Sequence, residues 1–432
     1  MNKRLVFTVI SALLILGGTV VAIRYAKGYR PTRSGISSTG LLNANSFPNG
    51  ASVYVNGELK TATDTTINLE PGEYEIEIKK EGYFPWKKKL KLEKELVTQT
   101  NALLLPQAPG LSPLTYSGAS LLNPSPDGQK LLFTTTSASN AKNNGIYVYE
   151  LTDNPLALQK GPRQISRSTS AYDFSKALFY WSPDSDQILV IFGDDAFVLD
   201  SGKFTEIASA KNIKSTLATQ VAEWEETSNK RISTQLQRFP VEVVRIASES
   251  AANVYISPDQ EKLLYTATKL DHLGDNLISS VPASSTQTQS REIKPGNTYV
   301  YDRKEDRNFL VRENQSPTPT PTPKITKTAK KIATPAVNSP TITDRLVALR
   351  NTFSGLYTDS AQWLPDSKHV LYLQNSIITI REYDGTNTVE AYAGPFAEHF
   401  VYPWPNGSKL VILTNLNQND SVPQNLYAIN LR

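Results

Sequence analysis

The chain has 432 residues, with 39% of hydrophobic type and 20% charged. That is too apolar for a disordered polymer, and the length leaves room for two or three domains of ~100–200 residues each. It has no cysteine, which excludes a disulfide scaffold, a thiol nucleophile, a lipid-modified cysteine and any cysteine-ligated metal. Twenty Tyr, 14 Phe and 27 Pro lean towards strands and turns. The formal charge of +4 is unevenly spread. Lys3, Arg4, Arg24, Lys27, Arg30 and Arg33 fall within the first 34 residues, which hold no acid, and the remainder is −2. The basic balance belongs to one terminus, so the body is not expected to bind nucleic acid.

After a basic flank at 1–4, Leu5 to Ile23 is a 19-residue run without charge. As a helix it spans about 28 Å, close to the ~30 Å hydrocarbon core of a bilayer. A cleaved signal peptide is the competing reading, but its apolar region is usually ~7–15 residues with a small-residue cleavage site. Val20-Val21-Ala22 fits such a site poorly. The expectation is a single uncleaved anchor at 5–23 and a linker at 24–40. Positive charge on the two flanks is nearly balanced, so the positive-inside rule decides little about orientation.

Residues 41–106 read as short strands. Val53 and Val55 alternate with Tyr54 before Asn56-Gly57, a strong hairpin-turn dipeptide. Tyr74, Ile76 and Ile78 alternate with Glu75, Glu77 and Lys79, and a lysine-rich strand follows from Trp86 to Leu92. Pairing about Glu81–Pro85 is expected to set Tyr74 opposite Leu92, Ile76 opposite Leu90, Glu75 opposite Lys91 and Glu77 opposite Lys89. The lysine run Lys87-Lys88-Lys89 reads either as an anion patch or, more simply, as partners of that glutamate strand. Phe47-Pro48-Asn49-Gly50, Val53-Tyr54-Val55-Asn56-Gly57, Leu69-Glu70-Pro71-Gly72 and Lys80-Glu81-Gly82-Tyr83 together resemble a PEGA domain. Asn49 replaces the glutamate of the namesake tetrapeptide. The resemblance implies a small β-sandwich of envelope proteins with no catalytic role. It is also the ground for expecting the body outside the cytoplasm.

From 107 to 432 one turn recurs: Ser125-Pro126-Asp127-Gly128, Ser182-Pro183-Asp184-Ser185, Ser257-Pro258-Asp259-Gln260 and Leu364-Pro365-Asp366-Ser367. Pro403-Trp404-Pro405-Asn406-Gly407 is a degraded fifth copy. Proline presets φ, the acid accepts local backbone N–H groups, and Gly or Ser closes the turn. Each copy precedes an apolar strand, and strand–turn–strand units at about 40-residue spacing are the signature of a β-propeller. The prolines are 57, 75, 107 and 40 residues apart, so insertions intervene. About 212–239 reads as a helical insertion (Leu217, Val221, Trp224, Ile232, Leu236, Phe239), stopped by Pro240. It is expected to pack across a blade or a channel mouth, with partner binding as the sharper alternative. Loops at about 270–294 and 314–343 are of low complexity, the latter a Pro/Thr/Lys-rich stretch expected to be disordered. That stretch alone carries +4, which leaves the folded remainder at −6. The repeats resemble TolB-like and WD-repeat-like propellers. This implies five or six blades around a channel that binds proteins or glycans. The alternative of a propeller preceding an α/β-hydrolase domain is not expected, because the repeats run to the last residues.

The expected fold is therefore all-β: an N-terminal transmembrane helix, a PEGA β-sandwich at 41–106 and a propeller at 107–432. Chemistry is sparse. His272, His369 and His399 share no metal-ligand spacing, and no nucleophile elbow, Walker loop or EF-hand loop occurs. Asp184/Asp186 and Asp194/Asp195 read as turn caps before calcium ligands. Pro126, Asp127, Pro183, Asp184, Pro258, Asp259, Pro365 and Asp366 are singled out as structural turn residues, with no catalytic, metal or cofactor site and no assignable binding residue. The function expected is non-catalytic: a membrane-anchored envelope protein whose two modules bind or scaffold an unidentified protein. The alternative is a wall or surface glycan, met by aromatics at a propeller face or by Tyr83, Phe84 and Trp86.

Overall fold

A computed structural model describes residues 3–26, 29–32, 35–153, 161–279, 285–314, 345, 361–398, 400–417 and 422–432. The low-complexity stretch at 314–343 lies outside the described residues except for Asn314, as does His399. The chain divides into two compact units. The first holds Met1–Ala108 with Ser279–Thr288 and Arg432, and the second holds Pro109–Ile278 with Gln289–Leu431.

In the first unit, α1 (Lys3–Ala26) contains a 20-residue segment, Val6–Tyr25, with a mean hydropathy of 2.5 and no part buried in protein. It is long and apolar enough to cross a membrane. The stretch expected to be a linker instead contains an antiparallel pair, Tyr29–Thr32 with Gly35–Ser38. The following module has a four-stranded sheet ordered Glu58–Ala62, Ser52–Val55, Gly72–Lys79 and Trp86–Leu92. A second layer places Gly40–Ala44 between Val97–Gln99 and Thr65–Leu69. Leu42, Val53, Ile76, Ile78, Trp86 and Leu104 fill the space between the layers. Asn56 and Gly57 take φ of 50° and 83°, the left-handed pair that a two-residue hairpin of matching twist requires.

The expected glutamate–lysine register is wrong by two residues. Tyr74 stands opposite Leu90, Glu75 opposite Lys89 and Ile78 opposite Trp86. Tyr83 bridges to Pro106 and the Phe84 N–H donates to Leu105 O, so the connection is drawn towards a later segment and does not extend the hairpin. A slip of two preserves every inward and outward face because strand periodicity is two. The lysine run still meets a glutamate across the pair: Lys87 Nζ lies 2.8 Å from Glu75.

The second unit contains five consecutive antiparallel sheets among the described residues. The first is Ser120–Pro124, Lys130–Thr135, Gly145–Glu150 and Arg163–Arg167. The second has three strands, Leu178–Trp181, Gln187–Phe192 and Asp195–Asp200. Ala251–Ile256, Lys262–Ala267, Thr298–Asp302 and Arg307–Arg312 form the third. Gln362–Trp363, His369–Gln374, Ile377–Glu382 and Val389–Tyr392 form the fourth. The fifth is Val401–Pro403, Lys409–Thr414 and Asn425–Asn430, completed by Leu111–Pro113 from the start of the unit. Apolar clusters join first to fifth (Leu131, Phe133, Val411, Leu413), first to second (Leu132, Val148, Phe179, Ile188) and third to fourth (Leu264, Val311, Trp363, Val370).

The helical insertion is longer than the sequence suggests. α2 (Leu217–Leu236) lays Val221 and Trp224 on the second sheet, and α3 (Val241–Glu249) lays Val243, Ile246 and Ala247 on the third. Pro240 ends one helix but directly precedes the next, where its missing N–H costs nothing. Each fully buried side chain of this size stabilises by roughly 1.5–3 kcal/mol.

The fourth position of the recurring turn is left-handed in all five copies: Gly128, Ser185, Gln260, Ser367 and Gly407 have φ of 74°, 66°, 60°, 58° and 69°. Only two of these are glycine, and a non-glycine residue there costs about 1 kcal/mol. Gln260→Gly is therefore expected to raise stability by about 0.5–1 kcal/mol in urea unfolding, whereas an unchanged or lowered midpoint would contradict the strain argument.

Candidate functional site

Each turn acid is committed to its own turn. Asp127 accepts hydrogen bonds from Ser125 Oγ and Gln129 N, Asp184 from Ser182 Oγ and Asp186 N, and Asp259 from Ser257 Oγ and Glu261 N. The Ser182 hydroxyl holds the Asp184 carboxyl below the ordinary range. At Asp259 burial works upward but is outweighed by Ser257, the Glu261 N–H and Lys262, and the net shift is downward. Pro126, Pro183, Pro258 and Pro365 precede these acids at the same position of each turn. The turns also lock neighbouring sheets. Asp127 N donates to Ser185 Oγ (3.1 Å) and Asp259 N to Ser367 Oγ (2.9 Å). Trp181 Nε1 donates to Asn123 O and Trp363 Nε1 to Tyr255 O, two residues before the Ser of the preceding turn.

The fourth turn lacks the serine and substitutes histidine. Asp366 accepts from the N–H groups of Lys368 and His369, and its Oδ2 lies 2.6 Å from His369 Nδ1 in a buried setting. Burial pushes the Asp366 carboxyl up, but the charge and hydrogen bond of His369 and the two N–H donors outweigh it and hold the pKa at about 2. His272 lies on a strand pair in the insertion, where its N–H donates to Asp271. Asp195 accepts from Asn212 and Tyr172, and Asp194 faces Lys214. Among the described residues, no group of three acids or histidines is placed to hold a metal. Trp86 is 2% exposed inside the core of its module, so it is no platform for a sugar ring.

One concave feature of the second unit lies where the third and fourth sheets meet. A cleft of about 810 Å³ is lined by Leu310, Arg312, Glu313, Asn314, Tyr372, Gln374, Asn375 and Arg381, a size within the ~300–1,000 Å³ of ordinary ligand sites. Glu313 and Asn314 follow the outermost strand of the third sheet, and Gln374 and Asn375 form the hairpin end opposite Asp366. Arg381 Nε donates to Gly385 O at 2.8 Å and Nη1 to Val311 O at 2.5 Å, which fixes its plane. The Arg312 guanidinium lies 5.8 Å from the Tyr372 ring centroid. Burial raises the Tyr372 hydroxyl pKa against the opposing charge of Arg381, to which it is hydrogen-bonded. The sequence singled out none of these residues. They lie some sixty residues apart across an insertion, and the only trace is an arginine closing each of two apolar strands, Phe309-Leu310-Val311-Arg312 and Ile378-Thr379-Ile380-Arg381.

Asp366→Asn is expected to cost about 1.5–3 kcal/mol at neutral pH through loss of a charged hydrogen-bond acceptor. The depressed carboxyl contributes fully above its unfolded value near ~3.9 and loses that contribution as pH falls through about 2. The gap between wild type and variant in denaturant unfolding should accordingly narrow from pH 4 towards pH 2; a constant gap would show that the charge plays no part.

Residues 39–107 match the PEGA domain. A comparison with curated proteins finds no match. Among solved structures, the chain is similar to a protein assigned as TolB from Agrobacterium tumefaciens, at 11% identity and a TM-score of 0.24, covering 74% of this chain and 83% of that one. It is also similar to TolB from Acinetobacter baumannii, at 10% identity and a TM-score of 0.20, covering 88% of this chain and 63% of that one. The chain thus carries a PEGA domain at residues 39–107, followed by a body of consecutive antiparallel sheets.

Proposed function

We propose that this chain is a membrane-anchored, non-catalytic envelope protein, in which the PEGA module and a five-bladed propeller serve protein–protein binding outside the cytoplasm. The observation that carries the binding reading is the cleft between the third and fourth sheets, where guanidinium, amide and aromatic groups converge. Such groups recognise a polypeptide by hydrogen bonds and charge without any reacting atom. The carboxylates of the recurring turns support a non-catalytic role, because each is already bound by its own backbone and hydroxyl donors. α1 supports anchoring, since its uncharged run Leu5–Ile23 matches the thickness of a bilayer core and the apolar segment Val6–Tyr25 is not buried in protein. The glycan reading loses one of its proposed stacking residues with the burial of Trp86, while Tyr83 and Phe84 stay half-buried.

Two experiments test this. A photo-crosslinking residue at Asn375 of the full chain should give a discrete protein adduct in intact cells. Retention of the purified chain on wall polysaccharide, with no protein adduct, would reverse the assignment. The chain has no native thiol, so a single Glu58→Cys variant reports orientation directly. Labelling by an impermeant thiol reagent in intact cells is the expected result, and protection until lysis would put the body in the cytoplasm.

A further inference from the structure

We infer that the cleft between the third and fourth sheets binds an acidic peptide segment of a partner protein, with an Asp or Glu carboxylate seated on Arg381 and Arg312. The inference rests on the protein-binding reading above and deepens it. Arg381 is the anchor. Its two recorded main-chain acceptors, Val311 O and Gly385 O, are neutral, so they orient the guanidinium without cancelling its charge. Among the described residues it forms no ion pair, although other part-buried arginines of this unit do. Arg291 meets Asp306 at 3.2 Å, and Arg245 meets Asp271 at 2.9 Å. A half-buried cation without a counter-charge is costly, and a carboxylate arriving from outside relieves that cost.

The position is also built to persist. Gly385 has a φ of 83°, and a Cβ there would lie 2.7 Å from Leu310 O and 3.7 Å from Arg381 Nη2. The turn that holds the guanidinium therefore leaves no room for a side chain. A planar arginine fixed beforehand loses little entropy when a carboxylate binds to its remaining N–H groups. Arg312, held beside the Tyr372 ring, brings the second positive charge to the same cleft.

The remaining lining distinguishes a peptide from a small anion. Gln374 and Asn375 each present an amide that donates and accepts, which matches the main chain of a peptide. A fully deprotonated inorganic anion such as sulfate accepts only and would leave the amide oxygens unmatched. Glu313 at the rim disfavours a dense run of acids and favours an isolated carboxylate in a neutral context.

The test uses the full chain in detergent and an array of fluorescein-labelled nonapeptides with randomised neutral flanks and a fixed central Glu or Gln. We expect Glu peptides to bind at least tenfold more tightly than their Gln counterparts, with the preference falling as salt rises. Arg381→Gln should abolish the preference. Because that change also removes two main-chain contacts, Arg312→Gln and Gln374→Glu are measured beside it. Both should weaken Glu-peptide binding at least fivefold at an unchanged thermal midpoint. No Glu preference, a preference surviving all three variants, or displacement by equimolar inorganic phosphate would overturn the inference. If crosslinking at Asn375 still captures a protein when the array shows no preference, the acidic ligand falls while protein binding stands.

Discussion

The pairing of Leu111–Pro113 with Asn425–Asn430 joins residues more than three hundred positions apart in the chain. Apolar faces join the first sheet to the second and to the fifth, and the third to the fourth, so an open row would leave the faces of the first and fifth sheets exposed to water. Borrowing a strand from the start of the unit ties the fifth sheet to the chain leading into the first. The cluster of Leu131, Phe133, Trp404, Val411 and Leu413 then buries both terminal faces against each other. Asp153 adds a polar clasp to the same junction, bound by Asn406, Ser408 and Lys409. Those contacts hold its carboxyl below the ordinary range although burial acts in the opposite direction. The closure fixes both ends of the series at one junction.

Within the closed series the junctions are unequal. First-to-second and third-to-fourth use the same two contacts, an indole N–H to a main-chain carbonyl and a turn serine to the preceding acid's N–H. At the second-to-third junction Ile256 and Gln260 stand where the tryptophan and serine would be; Ile256 has no side-chain N–H to donate, and the Gln260 amide oxygen accepts from Arg238. The apolar faces there are covered by α2 and α3 instead. Arg345, the one described residue between Asn314 and Ala361, reaches α2 and pairs with Glu225. That ion pair occupies part of the helix surface, which counts against reading α2 as a freely offered docking helix. The cleft, by contrast, sits at a junction locked by the repeated contacts. A binding groove gains from that rigidity, since its walls need no ordering when the ligand arrives.

Much of the architecture could be read from local chemistry. The Pro-Asp turns, the Asn56-Gly57 hairpin and the alternation on either side of each turn are set by φ preferences and by a periodicity of two. These act within a few residues. Three features escaped that reading. The hairpin register of Gly72–Lys79 with Trp86–Leu92 shifted by two, since a slip of two leaves the same side chains inside and sequence alternation cannot resolve it. α3 was hidden because a proline normally ends a helix, whereas Pro240 sits at a boundary between two. The pair Tyr29–Thr32 with Gly35–Ser38 lies in a segment whose Ser/Gly composition resembles a linker.

The cleft could not be read at all. Arg312 and Arg381 look like ordinary polar ends of apolar strands, and their meaning comes from the packing of the third sheet on the fourth. The sequence by itself determined the kinds of element, their turns and the division between an apolar terminus and a β-rich body. It also showed that the net charge of +4 belongs to the basic terminus and the 314–343 stretch, over a body of −6. Only the tertiary structure decided which sheets adjoin, which turn acids are already satisfied and that Arg381 stands without a counter-charge among the described residues. The physical reason is range. Backbone preference and side-chain periodicity act over a few residues, whereas the closure of the fifth sheet and the convergence on Arg381 are long-range contacts that no local pattern encodes.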